Sequence, residues 1–316
     1  MGVAAHQQIY RPVSGNGGVM SLGLEKHRRS VDIERGRISY LDIGAGSPTV
    51  FVHGVLTNSL LWRDVVTAVA ATGRRCIALD LPGHGHSPVP ADGIDVTLSG
   101  LAQLIAEFLD SIGIDEFDLV ANDTGGAVAQ IMVARQPDRI RTLALTNCDT
   151  EGHVPPKLFK PVVALARPPL MALIGPRLFA RRKVLRALLG AGYRKPGRLP
   201  DSIVESYGQP VFGTAESSRF LSKMLRAMHT RDLEAARAGL VTFTKPTLIA
   251  WGLGDYFFPL KYGQRLAELF GGPVTFETVP DGRLYFPDED ADRLLPLLYR
   301  HWHSAGRQES STEVGS

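Results

Sequence analysis

The sequence of 316 residues predicts an α/β fold, in which a mostly parallel, twisted sheet is flanked by helices and carries an inserted helical lid. Three observations lead to this prediction. Short apolar segments alternate with helical patterns of about three turns up to residue 151, stop alternating in residues 152–243, and alternate again in residues 244–304. Strands that are apolar throughout need cover on both faces, which helices on both sides of a parallel sheet provide.

The first elements follow in chain order. Residues 28–44 alternate apolar and polar side chains around Gly36, which predicts an antiparallel hairpin. A buried strand (SPTVFVHG) and a helix (LLWRDVVTAVAATG) come next, followed by a strand with a glycine-rich exit (RRCIALDLPGHGHS) and a helix (LSGLAQLIAEFLDSIGI). FDLVAND and IRTLALTNCD are two further buried strands, with the helix AVAQIMVARQPD between them.

The remaining chain predicts a lid and the end of the sheet. Residues 152–243 are proline-rich, mainly helical in pattern and poor in strand signals. TLIAWG and VTFETVP then predict strands, while YGQRLAELF and ADRLLPLLYRHWHS predict helices. The predicted organisation is a mobile tail in 1–25, a core in 26–151, the lid in 152–243, the second part of the core in 244–304, and a mobile tail in 305–316.

Composition limits the class of protein. Hydrophobic residues make up 44% of the chain, and the apolar runs are shorter than the ~18 residues that a membrane span needs. We therefore expect a cytoplasmic protein without a membrane span. Cys76 and Cys148 are too few for a disulfide scaffold and fit core positions.

The net charge of +3 is unevenly distributed along the chain. Residues 151–245 hold 17 Lys and Arg against 6 Asp and Glu, or +11, which leaves 18 against 26, or −8, elsewhere. This pattern suits a solvated helical surface, or a platform for an anionic ligand or an acidic carrier protein. No motif for nucleic-acid binding accompanies the basic residues.

The segment LVANDTGGAVAQ, residues 119–130, carries the main candidate for chemistry. An apolar strand runs through small residues around Asp123 directly into a helix, which is typical of a nucleophile elbow. The helix amino terminus directs backbone N–H groups toward Asp123, so this carboxylate is a candidate nucleophile. In the alternative interpretation, Asn122 and Asp123 only cap the helix.

Two other segments support the catalytic interpretation. HGV at residues 53–55 follows a buried strand, so the backbone N–H of Val55 can join that of Thr124 in an oxyanion hole. Asp255, in WGLGDYFFP, follows a later strand, where an acid can orient a base.

With HG, DLPGHGHS, ANDTGG and WGLGD in this order, residues 30–303 resemble the α/β-hydrolase fold superfamily. Within it, the chain is similar to haloalkane dehalogenases and epoxide hydrolases, whose nucleophile is Asp. The resemblance implies that the carboxylate attacks carbon to give an ester, which a histidine-activated water then hydrolyses.

One departure from this branch concerns the base. Members commonly end with a run similar to PGAGHFxPEE, and VPDGRLYFPDED places Leu284 at the histidine, or Tyr285 after a shift of one residue. We therefore expect the usual catalytic histidine to be absent and a covalent adduct to accumulate. His153 is the favoured substitute base, ahead of His53, His84 and His86.

The resemblance also bears on the substrate. Dehalogenases often carry Trp after the nucleophile, where this chain has Thr124, so dehalogenation is disfavoured. Epoxide hydrolases use two lid tyrosines as acids, and the lid contains Tyr193 and Tyr207. The residues predicted to contact substrate are His53, Asn122, Tyr193, Tyr207, Leu284 and Tyr285.

Three functions remain open at this point. The first is an enzyme that acts through Asp123 on a small or medium apolar electrophile, such as an epoxide or ester. The second is a non-hydrolytic lyase, isomerase or cyclase in which Asp123 transfers protons. The third is a binding or signalling member without activity. No metal-ligand motif or nucleotide-binding glycine motif is present, so neither a metal nor another cofactor is expected.

Overall fold

An eight-stranded sheet forms the centre of the protein, for which a computed structural model describes residues 23–91 and 93–313. The strand order is β1-β2-β4-β3-β5-β6-β7-β8; β2 pairs antiparallel with β1 and β4, and all other pairs are parallel. The predicted fold class and the predicted hairpin are thereby confirmed. The strands are β1 Arg28–Ile33, β2 Gly36–Ile43, β3 Ser47–Val52, β4 Arg74–Leu79, β5 Phe117–Asp123, β6 Ile140–Cys148, β7 Thr247–Gly252 and β8 Val274–Val279.

Helices cover both faces of the sheet. In the first part of the core they are α1 Arg63–Ala70, α2 Leu98–Ser111 and α3 Thr124–Arg135. Strand β5 is buried at every position, and Thr124–Val133 of α3 are buried too, because this strand and helix occupy the middle of the fold. Asp123, between them, is therefore held by the most enclosed part of the core.

The lid is inserted between β6 and β7, which are neighbours in the sheet. Its helices are α4 Lys160–Leu165, α5 Pro168–Ile174, α6 Arg182–Gly190, α7 Asp201–Phe212, α8 Ala215–Ala227 and α9 Thr230–Thr242. Two of them, α4 and α5, have proline in the first turn, where a helix needs no hydrogen-bond donor. The proline-rich sequence thus gives many short helices, and strand β7 resumes the sheet after them.

The second part of the core adds α10 Leu260–Ala267, α11 Phe286–Glu289 and α12 Ala291–Glu313. Helix α12 continues through residues that the sequence pattern assigned to a mobile tail, since each residue added to a docked helix gains a backbone hydrogen bond. The predicted tail 1–25 lies outside the described residues except for 23–25. Within the described ranges, no single helix is long and apolar enough to cross a membrane.

Candidate active site

Asp123 stands at the turn from β5 into α3 with φ 56° and ψ −132°, a conformation that costs energy for a residue with a side chain. The surrounding glycines leave the space that this turn needs. A Cβ on Gly54 would lie 2.2 Å from Asp123 Oδ2, and a Cβ on Gly125 would lie 2.5 Å from the carbonyl oxygens of Val52 and His53. The backbone is therefore shaped to present the Asp123 carboxyl group.

A cavity of about 240 Å³ lies between this turn and the lid. Asp123, Thr124 and Asp149 contribute polar groups from the core, and Tyr285 contributes a hydroxyl. All other lining residues are apolar: Val55, Leu56, Pro155, Pro156, Leu158, Phe159, Val162, Val163, Ala187, Leu188, Ala191, Gly192, Leu225, Met228, Phe257, Phe258 and Leu284. The cavity therefore suits an apolar molecule that presents one reactive group to the carboxylates.

Both residues predicted for the oxyanion hole line this cavity. Val55 follows β3 and Thr124 opens α3, so each brings its backbone to the edge of the sheet where Asp123 lies. The backbone N–H of Thr124 donates to the Asp123 carboxylate, which opposes the rise in its pKa. This donor also faces any charge that develops on an ester formed at Asp123.

Three buried carboxyl groups meet around the turn, from Asp123, Asp149 and Asp255. Burial, and then the charges of Asp149 and Asp255, hold the pKa of Asp123 well above its usual range. Burial raises the pKa of Asp149 to about 7 and that of Asp255 to about 6. Burial and the two neighbouring charges therefore favour the protonated form of the Asp123 carboxyl group.

Asp149 and Asp255 differ in their contacts. Asp149 Oδ2 accepts a hydrogen bond of 3.3 Å from Thr124 Oγ1, while its Oδ1 is buried without a partner among the described residues. Asp255 accepts 2.8 Å bonds from Asn147 Nδ2 and from the backbone N–H of Phe257. Asp255 is thus fixed behind the cavity, whereas Asp149 is one of its lining residues and keeps a buried, unpartnered Oδ1.

The loop after β8 brings Leu284 and Tyr285 to the cavity. Asn122 does not line the cavity; its Nδ2 donates to the carbonyl oxygen of Leu284 at 2.9 Å. The backbone N–H of Tyr285 donates to the lid at the carbonyl of Gly192, also at 2.9 Å. Burial, and then the charge of Asp123, raises the pKa of Tyr285 well above 10, so its hydroxyl stays protonated.

No histidine lines the cavity within the described part of the chain. His53 Nε2 accepts from the backbone N–H of Leu81 at 2.9 Å, and its Nδ1 donates to the carbonyl of Gly54 at 2.7 Å. Burial lowers the pKa of His53 to about 3, so this neutral ring braces the loop and is not brought to substrate as predicted. His153 Nε2 lies 2.9 Å from the carbonyl of Phe257, and its ring stacks on Tyr262.

The chain matches known proteins over most of its length. A family model described as alpha/beta hydrolase fold matches residues 48–173. Haloalkane dehalogenase 2 of Mycobacterium tuberculosis is 31% identical over 280 residues, which cover 85% of this chain and 93% of that protein. The chain belongs to the α/β-hydrolase fold family. It is a haloalkane dehalogenase-like α/β-hydrolase.

Two further relatives differ in activity and in distance. A cis-3-alkyl-4-alkyloxetan-2-one decarboxylase of Shewanella oneidensis is 31% identical over 232 residues, 70% of this hydrolase and 71% of the relative. A solved loop variant of a haloalkane dehalogenase from Bradyrhizobium elkanii has a TM-score of 0.72 at 22% identity, and covers 89% of this chain and 98% of its own. This last likeness concerns the fold alone.

The hydrolase uses its lid tyrosines differently from the sequence prediction. The hydroxyl groups of Tyr193 and Tyr207 both donate to Asp288, whose other oxygen accepts from Arg63. Neither tyrosine lines the cavity, so the structure does not bring them to Asp123. We predicted that both tyrosines contact substrate, because spacing alone does not reveal which way a lid side chain faces.

The sequence predictions did not include one residue of the site, Asp149, and one buried carboxylate outside the cavity, Asp288. Asp149 directly follows the buried strand β6, which is the signal that identified Asp123 after β5. Asp288, in the run FPDED, has no comparable signal, because its partners lie 225, 95 and 81 residues away. The described residues contain no group of three or more His, Cys, Asp or Glu side chains arranged for a metal ion.

Proposed function

We propose that this α/β-hydrolase binds a small or medium apolar electrophile, such as an epoxide or ester, and that Asp123 attacks it as a nucleophile. The supporting observation is the position of Asp123. Its backbone has a positive φ, and its side chain lines a cavity that is otherwise almost entirely apolar. Among the described residues that line the cavity, the only other oxygen nucleophiles are the side chains of Asp149, Thr124 and Tyr285.

The reaction needs the form in which Asp123 is ionised and the shared proton lies on Asp149. Burial and the charges of Asp149 and Asp255 raise the pKa of Asp123, so they favour the opposite form, and the reactive form is reached by transfer of the proton within the coupled pair. With an epoxide, an Asp123 oxygen forms a bond to one ring carbon while the bond from that carbon to the ring oxygen breaks. The ring oxygen keeps the electron pair and takes the proton from Asp149. The product is a hydroxyalkyl ester of Asp123, next to the backbone N–H groups of Val55 and Thr124.

The proposal includes a slow or missing second step. Hydrolysis of the ester needs a base to activate water, and Leu284 occupies the position where we expect the family histidine. Tyr285 is a poor substitute because its hydroxyl stays protonated. Supporting observations are the interactions of His53 and His153, whose Nε2 atoms are each occupied by backbone groups away from Asp123.

Intact-mass spectrometry tests this proposal. After incubation with an epoxide, an ester and a haloalkane, the protein should gain the mass of one substrate-derived group, and peptide mapping should place it on Asp123. The Asp123→Asn variant is the matched control and should gain nothing. Failure of every substrate class to label Asp123, together with rapid turnover that survives in Asp123→Asn, would exclude Asp123 as the nucleophile.

A second candidate is a non-hydrolytic lyase reaction in which Asp123 carries the shared proton and donates it. Two observations favour it: the pKa of Asp123 is raised well above its usual range, and one relative is a decarboxylase. Reactions in oxygen-18 water, combined with the intact mass of the protein, separate the candidates. An ester that persists adds the mass of the substrate-derived group to the protein, which a lyase reaction does not. Hydrolysis introduces label into the product or, after one turnover, into Asp123, whereas a lyase reaction introduces none.

A further inference from the structure

The first part of the lid, residues 157–183, exposes an unusual amount of apolar surface. Leu158, Leu165 and Leu173 are 63%, 67% and 55% exposed. Residues three and four positions apart share a helix face, so Leu158 and Leu165 fall on one face of the first helical piece together with the exposed Val162, and Leu173 shares a face of the second with the exposed Leu170. The other exposed members of this set are Val162, Leu170 and Leu178.

The same segment is strongly basic. Between residues 157 and 183 there are seven Lys and Arg and no Asp or Glu. Arg182 pairs with Asp201 and Glu205, and Arg177 donates to the carbonyl of Leu173. The other basic side chains make no ion pair with any residue in 23–91 or 93–306: Lys157, Lys160, Arg167, Arg181 and Lys183.

Exposed leucines beside unpaired positive charges are typical of helices that lie in a membrane interface, where they meet acyl chains and anionic headgroups respectively. We propose that residues 157–183, the lid face, dock on the surface of a bilayer that contains anionic lipid. The two helical pieces, Lys157–Leu165 and Pro168–Phe179, meet at a bend of 85°. Each piece is shorter than the ~20 residues of a spanning helix, so the lid face lies on the bilayer.

The lid face is continuous with the cavity. Leu158 and Val162 are exposed and also line the cavity, so they form part of its mouth. Docking therefore turns the cavity mouth toward the acyl region of the bilayer. An apolar ligand dissolved in the bilayer reaches Asp123 along apolar surface, without first entering water.

The positive charge of the lid face favours a bilayer, rather than a second copy of this chain, as the partner of this surface. In a symmetric dimer the same surface meets itself, so the unpaired lysines and arginines of two lid faces would be brought together. Like charges across an interface are unfavourable, whereas anionic headgroups neutralise them.

Vesicle flotation tests the proposal. The full chain should float with vesicles of phosphatidylcholine and phosphatidylglycerol, bind vesicles of phosphatidylcholine alone several-fold less, and lose affinity between low and physiological salt. The double variant Leu165→Glu/Leu173→Glu should lose at least ~10-fold in affinity for the anionic vesicles, because it removes apolar contact and adds negative charge. The matched control is Val241→Glu, which changes an exposed apolar residue of the lid outside residues 157–183 and should bind normally.

A second variant keeps the test decisive if the double glutamate variant does not fold. Lys160→Gln/Arg167→Gln removes two unpaired charges and should weaken binding to anionic vesicles several-fold, with no change on phosphatidylcholine alone. The proposal is overturned if the unmodified protein does not float with anionic vesicles. It is also overturned if the protein is a dimer that Leu165→Glu/Leu173→Glu converts to a monomer, without vesicle binding by either.

Discussion

Asn122 Nδ2 donates a hydrogen bond of 2.9 Å to the backbone carbonyl of Leu284, 162 residues further along the chain. This bond fixes the loop after β8 to the residue that precedes Asp123. Leu284 is 5% exposed and lines the same cavity as Asp123, so its side chain is fixed by packing at the candidate active site. A substitution at Leu284 therefore changes the chemistry of the site with little effect on the course of the backbone.

Leu284→His should restore a base at this position. If Asp123 forms an ester that persists, an imidazole at residue 284 should speed its hydrolysis by about 10²-fold or more, as general bases commonly do. Loss of the adduct in time-resolved intact-mass spectra measures this rate. Leu284→Gln, polar but not basic, is the control, and equal rates in the two variants would show that the absent base is not what limits hydrolysis.

Asp149 should make stability depend on pH. Burial raises its pKa to about 7, whereas an unfolded Asp titrates near ~4, so the folded protein binds this proton more tightly. The stabilisation is complete below pH ~4 and is lost as the pH rises through ~7. Asp149→Asn should flatten this slope and raise the free energy of unfolding above pH ~7 by roughly 1–3 kcal/mol.

Urea denaturation between acidic and neutral pH checks this expectation. Asp115→Asn changes an exposed carboxylate and serves as the control, which should leave the pH dependence as it is. A slope that is the same in Asp149→Asn and in the unmodified protein would contradict the assigned burial effect.

Asp288→Ala should be strongly destabilising. The change leaves the buried Arg63 without its carboxylate and removes the acceptor of both Tyr193 and Tyr207. Loss of one partner from a buried ion pair costs about 3–5 kcal/mol in the free energy of unfolding. Glu205→Ala breaks a half-exposed pair with Arg182 and should cost less than about 1 kcal/mol, so the two midpoints in urea should differ clearly.

Gly54→Ala should damage the site more than the fold. The added Cβ would lie 2.2 Å from Asp123 Oδ2, so the carboxyl group must move. A displacement of about 1 Å costs on the order of 10²-fold in rate, and we expect that loss in the rate of adduct formation. In Gly197→Ala the added Cβ meets no atom within 4 Å, and the rate should not change. Equal labelling of both variants would show that Gly54 does not set the position of Asp123.

The sequence predicts the fold well because each strand and helix carries its own periodicity. It also leads to Asp123, Val55 and Thr124, since residues that directly follow buried parallel strands meet at one edge of a sheet. The contacts of Tyr193 and Tyr207 could not be predicted in this way. Their orientation depends on Asp288, a partner distant in sequence, and on the packing of short lid helices that no local pattern specifies.

The lid is tied to the core unevenly. Hydrogen bonds join the lid to Tyr285 and Asp288 of the core through Gly192, Tyr193 and Tyr207. None of these hydrogen bonds involves residues 157–179. We therefore expect the cavity to open on the side formed by residues 157–179. The residence time of a bound molecule is then set by the excursions of α4 and α5, and amide hydrogens there should exchange with solvent faster than those of α7.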